Sequence, residues 1–124
     1  MDYQITFCLF LSNNSSAANL SNILLNNGII TILCANYSDI IKTFNNNKID
    51  FIVIDFDFGD DLGFKVCDLL KNNENYNSTY IIGTAFNSQE NFIKRLRGYN
   101  LIYFFLKPIS EEIFKEKIDK IFEK

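Results

Sequence analysis

The sequence predicts an α/β protein built on five parallel strands, and three observations support this prediction. Short apolar runs of strand length alternate along the chain with stretches of helical period. The run FIVID at residues 51–55 is almost entirely apolar, as expected of a central strand that helices cover on both faces. The length of 124 residues, with 48% hydrophobic and 22% charged side chains, suits one domain with one sizeable core. We therefore expect a single (βα)5 domain over residues 1–124.

Five apolar runs are predicted to form the strands. They cover residues 5–11, 29–34, 51–55, 80–84 and 101–106. The many asparagines gather in the segments between elements, where asparagine tolerates the backbone conformations of turns.

Stretches with an apolar face at helical spacing follow each strand. The first, third and fourth helices are predicted at about residues 17–26, 62–71 and 89–97. Gly28 follows the first helix and should end it. Ser38 and Ser110 are expected to cap the second and fifth helices, since a serine at this position accepts a backbone hydrogen bond. The face of the last helix that is predicted to point inward holds Ile113, Phe114, Ile118, Ile121 and Phe122.

Right-handed crossovers would wind these elements into a doubly wound sheet of order 2-1-3-4-5, the flavodoxin-like topology. Ligands of such sheets meet the carboxyl ends of the strands, so Asp55, Thr84 and Lys107 should converge there. A carboxylate, a hydroxyl and an ammonium at one mouth suit phosphoryl transfer to the aspartate, with the other two groups stabilising the phosphoryl oxygens. Taken alone, Asp55 also suits a turn that ends a strand, and Thr84 suits an ordinary strand position.

Composition excludes several other kinds of function. The net charge of -3 and the isoelectric point near 4.8 give no basic patch for nucleic acid. The absence of histidine removes catalytic triads and imidazole metal sites. The N-terminal apolar stretch is too short to span a bilayer, so we expect no membrane partner. Cys8, Cys34 and Cys67 lie in apolar stretches, which indicates reduced core thiols in a cytoplasmic protein.

Four motifs, in order and at suitable spacing, make the chain resemble the CheY-like receiver domains of two-component response regulators. FIVID ends in the acceptor aspartate, FDFGDDLG leads into the third helix, IIGTAF carries a threonine and an alanine after the fourth strand, and FFLKPI carries Lys-Pro after the fifth. The resemblance covers essentially the whole chain. The residues that match the functional positions of the family are Asp55, Thr84, Phe104, Lys107 and Pro108.

The resemblance implies a signalling domain of a phosphorelay, not an enzyme. Asp55 would take a phosphoryl group from a histidine kinase or phosphotransfer protein, with Mg²⁺ bound. Lys107 would contact the phosphoryl oxygens, and its peptide bond to Pro108 would be cis. Thr84 would turn inward on phosphorylation, and Phe104 would change rotamer. These changes would alter the face formed by helix four, strand five and helix five, through which a homodimer is also expected.

One departure from the family pattern concerns the metal. The family places two acidic residues after the first strand to hold Mg²⁺, whereas this chain has LFLSNNSS, which puts Leu11 and Ser12, or Asn13 after a short shift, at the pair. Neutral ligands hold Mg²⁺ more weakly than carboxylates. Asp57 is the candidate substitute ligand beside Asp55.

Two alternative functions follow from this departure and from the topology. In the first, Asp55 pairs permanently with Lys107, and the domain is a pseudo-receiver that acts as an interaction or dimerisation module without phosphorylation. In the second, the SNNSS segment cradles a phosphate, as in a flavin-binding or phosphate-binding module of similar topology. The second alternative leaves Lys-Pro unexplained.

Overall fold

The computed structural model describes residues 5–10, 14–57 and 61–121. The strands are β1 (Thr6–Phe10), β2 (Ile30–Leu33), β3 (Phe51–Asp55), β4 (Tyr80–Ala85) and β5 (Leu101–Leu106). The helices are α1 (Asn14–Asn26), α2 (Tyr37–Asn46), α3 (Leu62–Lys71), α4 (Glu90–Leu96) and α5 (Glu111–Ile121). In this part of the chain, none of the helices has the length and apolar character needed to cross a bilayer.

The five strands form one parallel sheet in the order β2-β1-β3-β4-β5. The predicted flavodoxin-like fold class and strand order are therefore confirmed. Every residue of β3 is buried, which explains why its sequence is apolar without alternation. The strand β2 lies at an edge of the sheet and exposes two of its apolar side chains, Ile30 and Leu33.

Two hydrophobic clusters pack on the two faces of the sheet. Alternate residues of β1 belong to different clusters, Phe7 and Leu9 to one and Cys8 and Phe10 to the other, because successive side chains of a strand point to opposite faces. The first cluster receives buried residues of α1 and α5, and the second receives residues of α2 and α3. The helices thus cover the sheet on both sides and leave the carboxyl ends of the strands as the mouth of a site.

The cap at the start of α2 differs from the prediction, whereas the end of α1 agrees with it. Asn36, not Ser38, caps α2, and its side-chain oxygen accepts the backbone N–H of Asp39 at 2.8 Å. The prediction was wrong because asparagine is as good a cap as serine, and the helix begins two residues earlier than expected. Gly28 adopts a φ of 72° after α1, a conformation that favours glycine, and so ends this helix as predicted.

The inward face of α5 is narrower than the sequence suggests. Phe114 and Ile118 are fully buried and Ile121 packs against the same cluster, whereas 49% of Ile113 is exposed. The prediction for Ile113 was wrong because residues three and four apart share a helix face and adjacent residues do not. Phe122 lies outside the described residues. Ser110 caps α5 as predicted, and its hydroxyl accepts the N–H of Ile113 at 3.2 Å.

Candidate functional site

Asp55 ends β3 with a carboxylate that is buried and paired with a lysine. Only 1% of the residue is exposed. Lys107 Nζ donates to both carboxylate oxygens at 2.8 Å, and the N–H of Asp57 donates to Oδ1 at 2.9 Å. A carboxylate is costly to bury unless it is paired and hydrogen-bonded, and these contacts supply both.

The sheet itself delivers Lys107 to Asp55 across one intervening strand. Asp55 pairs with Thr84 in the register of β3 and β4, and β5 lies on the far side of β4. The backbone N–H of Lys107 donates to the carbonyl of Ala85 at 2.9 Å, so the β4–β5 ladder continues one residue past the end of β5. The peptide bond from Lys107 to Pro108 is cis.

Asp57 is a second carboxylate on the same lysine. Its Oδ2 lies 3.2 Å from Lys107 Nζ and also accepts the backbone N–H of Phe86 at 2.9 Å. Asp57 therefore joins the segment after β3 to the segment after β4. The sequence suggested Asp57 as a metal ligand. It gave no signal for the hydrogen bond from Phe86, because the donor is a backbone N–H and does not depend on the residue type.

Thr84 lies next to Asp55 in the sheet and is completely buried. Among the residues that the structure describes, its hydroxyl oxygen finds no hydrogen-bond partner. Leaving a buried polar group unsatisfied costs about 1–3 kcal/mol, so such a group calls for an explanation.

Phe104 of β5 is half-buried and joins a cluster of rings that reaches back to Asp55. Its ring centroid lies 6.0 Å from that of Phe92 in α4. Phe92 in turn lies 5.8 Å from Phe56, the residue directly after Asp55, and 5.7 Å from Phe64 of α3. The sequence gave Phe104 as a candidate but missed Phe56.

Two glycines lie against the ring of Phe56, and they are the sequence signal that could have identified this residue. A Cβ at Gly63 would lie 2.7 Å from Phe56 Cδ1, and a Cβ at Gly83 would lie 2.9 Å from Phe56 Cε2. Both distances are closer than side chains tolerate. The ring of Phe56 is thus held between α3 and β4 by the absence of side chains on either side.

A bidentate ion pair joins the start of α3 to α4. Arg95 donates to both carboxylate oxygens of Asp61 at 2.9 and 3.0 Å, and its guanidinium lies 3.7 Å from the ring centroid of Phe64. The hydrogen bond from Arg95 lowers the pKa of Asp61 below its usual value. The pair is exposed, so it orients α4 more than it stabilises the fold.

The rim of the mouth is apolar on the side of β4. Phe86 is 67% exposed, and Lys107 Nζ lies 5.1 Å from its ring centroid. The position of Phe86 next to a charged pair gives the rim a ring that an approaching molecule would meet.

The fit of Mg²⁺ depends on two carboxylates. Asp55 and Asp57 lie side by side at the mouth, and Mg²⁺ is usually held by one or two carboxylates while it keeps several waters. In residues 5–10, 14–57 and 61–121 there is no group of three metal-binding side chains. Leu11, Ser12 and Asn13 lie outside the described residues. The donor set fits a partly hydrated ion rather than a closed metal cage.

A known family matches most of the chain that carries this site. The family model of the response regulator receiver domain matches residues 12–119. This chain belongs to that family. No curated protein sequence matches it at a significant level.

The fold of this receiver domain is similar to the folds of solved response regulators. The chemotaxis response regulator CheY4 of Vibrio cholerae aligns with a TM-score of 0.84 at 13% identity, over 96% of this chain and 99% of that one. The signal receiver domain of a DNA-binding response regulator from Colwellia psychrerythraea aligns with a TM-score of 0.84 at 18% identity, over 98% and 100%. A response regulator from Thermotoga maritima gives 0.82 at 17% identity, over 96% and 98%. These likenesses show the receiver fold, and the family match is consistent with a role in two-component signalling.

Proposed function

We propose that this receiver domain accepts a phosphoryl group on Asp55 from a histidine kinase or phosphotransfer protein. The observation that carries the proposal is the Asp55 carboxylate at 2.8 Å from Lys107 Nζ, beside a Thr84 hydroxyl that has no hydrogen-bond partner among residues 5–10, 14–57 and 61–121. A carboxylate oxygen of Asp55 attacks phosphorus, and the bond between phosphorus and the donor nitrogen breaks. The product is an acyl phosphate on β3.

The charges at the mouth decide whether this transfer is feasible. Two like charges about 4 Å apart repel by roughly 4 kcal/mol at an effective dielectric near 20, and the incoming group is dianionic. Lys107 offsets part of this repulsion by moving from the carboxylate to the phosphoryl oxygens. Asp57 adds a further negative charge beside it, so a second cation is needed. Asp55 and Asp57 would hold Mg²⁺, which supplies positive charge to the oxygens around phosphorus.

Thr84 and Phe104 are the residues through which the domain would respond. When a phosphoryl oxygen arrives, the Thr84 hydroxyl would gain a hydrogen bond that no described residue gives it. Phe104 contacts α4 through Phe92, so a change of its rotamer would alter the surface of α4, β5 and α5. The output is a changed surface and not a released product, which is why we propose a signalling domain that is not an enzyme. Dimerisation through this surface is part of the proposal, and so is a cytoplasmic location, where thiols stay reduced.

Intact-protein mass after incubation with acetyl phosphate, with and without Mg²⁺, tests the acceptor. The wild type should gain one phosphoryl group in the presence of Mg²⁺, and Asp55→Asn should gain none. Asp68→Asn is the matched control because Asp68 is an exposed aspartate of α3, bonded to Tyr99, and should be labelled like the wild type. An adduct that persists in folded Asp55→Asn would place the acceptor elsewhere.

Asp57→Asn separates the metal role from the acceptor role. If Asp57 holds Mg²⁺, this variant should require more Mg²⁺ for the same labelling and should reach the same end point. Equal Mg²⁺ dependence of the variant and the wild type would remove Asp57 from the metal site.

The phosphorylation-independent function has an observation of its own. Lys107 already pairs with two carboxylates, and Asp57 already ties the segment after β3 to that after β4. These contacts supply internally some of the bonds that a phosphoryl group would otherwise make. Absence of any adduct at high Mg²⁺ would favour this pseudo-receiver, and a yellow purified protein would instead favour the flavin-binding module.

A further inference from the structure

The thiols of Cys8 and Cys34 touch each other inside the protein. Their sulfur atoms are 3.5 Å apart, and both residues are buried. Cys8 lies in the middle of β1, and Cys34 follows the last residue of β2. Cys8 pairs with Ile32 in the sheet, so Cys34 is two residues further along and points to the same face.

The surroundings make Cys34 the more reactive of the two. The hydrogen bond with Cys8 lowers the pKa of Cys34, and a second contact, 3.3 Å from the sulfur to Thr43 Oγ1, acts in the same direction, whereas burial and the nearby Asp39 act against them. The contact with Cys34 and burial both raise the pKa of Cys8. The thiolate is the reactive form of cysteine, so we assign Cys34 as the nucleophile and Cys8 as the resolving thiol.

We propose that Cys8 and Cys34 form a reversible disulfide when the protein meets a hydroperoxide. A disulfide has an S–S length of about 2.0 Å, so the two sulfurs must approach by roughly 1.5 Å. Cys34 can supply this movement because it lies at the end of an edge strand, with a neighbouring strand on one side only. The N–H of Cys34 donates to the carbonyl of Leu9 at 2.9 Å, which keeps the ends of β1 and β2 side by side while the two sulfur atoms approach each other.

The reaction has two steps. The Cys34 thiolate attacks the peroxide, an S–O bond forms, and the O–O bond breaks with release of an alcohol or water after protonation. The sulfur of Cys8 then attacks the sulfur of Cys34, the S–S bond forms, and the S–O bond breaks. The proton of Cys8 leaves with the hydroxyl as water. Two thiols lose two electrons in total, and the hydroperoxide gains them.

This pair is independent of the proposed phosphoryl transfer. The new bond would fix the end of β2 to the middle of β1. Transient disulfides in reducing compartments usually sense oxidants, which fits a thiol pair that the resting protein keeps reduced.

The experiment exposes the native protein to hydrogen peroxide, quenches it, and alkylates the free thiols after unfolding. The wild type should lose two hydrogen atoms in intact mass and two of its three alkylation sites. Protease digestion should yield one cross-linked peptide that contains Cys8 and Cys34. Dithiothreitol should restore the mass and all three alkylation sites.

Cys67→Ser is the matched control. Burial raises the pKa of Cys67 to about 12, and this variant should still form the disulfide. Cys34→Ser should lose it while keeping the native circular dichroism spectrum, and Cys8→Ala should do the same. Should a variant fail to fold, the cross-linked peptide of the wild type decides. Three alkylated thiols after peroxide, oxidation to sulfinic acid without a cross-link, or a cross-link that includes Cys67 would each overturn the proposal.

Discussion

The free energy of the ion pair between Asp55 and Lys107 is measurable apart from any activity. Replacing Lys107 by alanine leaves the carboxylate of Asp55 buried without its ammonium, and removing one partner of a buried pair costs roughly 3 kcal/mol. We expect Lys107→Ala to lower the free energy of unfolding in urea by that amount. Lys94→Ala removes a lysine from an exposed pair with Glu90 and should cost less than about 1 kcal/mol.

A double-mutant cycle completes this measurement. Asp55→Asn removes the negative charge, so adding it to Lys107→Ala should restore much of the lost stability. If Lys107→Ala costs no more than Lys94→Ala, the buried pair does not hold the mouth together. Additive effects of the two substitutions would lead to the same conclusion.

The convergence of Asp55, Thr84 and Lys107 could be predicted from sequence because each lies at the carboxyl end of an apolar strand or directly after it. In a parallel sheet the carboxyl ends of all strands meet at one edge, so order along the chain becomes proximity in space. The bond from Asp57 to the N–H of Phe86 could not be predicted in this way. It depends on the path of two loops, and loop paths follow from packing rather than from a residue pattern.

At the scale of elements, Phe56 sets how closely α3 and β4 approach. Gly83→Ala would place a Cβ 2.9 Å from the Phe56 ring and 3.2 Å from Leu101 Cδ1. Overpacking of this kind costs about 1–3 kcal/mol, and we expect that loss in the free energy of unfolding by urea. Gly98→Ala is the control, because its Cβ would meet only Arg95 O at 3.5 Å, an ordinary contact.

The size of the Phe56 ring is the expected cause of the stability loss in Gly83→Ala, and a second substitution tests it. Phe56→Leu in the Gly83→Ala background removes ring atoms from the crowded position and should recover part of the loss. Gly83→Ala and Gly98→Ala with equal stability would show that Phe56 moves aside freely. In that case the ring cluster would be too loose to connect Asp55 with α4.

Element limits were predictable where periodicity and stop signals agree, as at β3, α3 and β5. They were less so where two polar residues compete for one role, as Asn36 and Ser38 do at the start of α2. Ile113 illustrates a different limit. An apolar residue next to the buried stripe of a helix adds to the apolar pattern in the sequence without lying on the buried face. Only the packed structure distinguishes such a residue from a buried one.

At the scale of the whole molecule, exposed apolar side chains lie at both edges of the sheet. Leu106 and Ile113 are exposed on β5 and α5, and Ile30 and Leu33 on β2. If the phosphorylated domain dimerises through α4, β5 and α5, Ile113→Glu should return the dimer to monomers, since an unpaired charge is costly to bury. Sedimentation velocity after treatment with acetyl phosphate and Mg²⁺ measures this shift.

Leu33→Glu provides the matched control for the dimer. It places the same charge at the opposite edge of the sheet and should leave the dimer intact. Dissociation by Leu33→Glu and not by Ile113→Glu would move the interface to β2. A phosphorylated protein that stays monomeric at all concentrations would remove the dimer from the proposal.

The strand order of the whole molecule followed from sequence because crossover connections have one hand and alternating elements leave few topologies. The metal ligands stay a prediction, because residues 11–13 lie outside the described residues and Asp57 is engaged by Lys107 and by a backbone donor.

The buried hydroxyl of Thr84 has a consequence for anyone who engineers this domain. A valine of nearly the same size would fill the position without an unsatisfied polar atom, so selection for thermal stability alone would favour it. If the Thr84 hydroxyl binds a phosphoryl oxygen as proposed, the stabilised protein would keep its sheet and its ion pair but would lose that hydrogen bond. Stability screens and signalling assays would then rank the same variant in opposite orders.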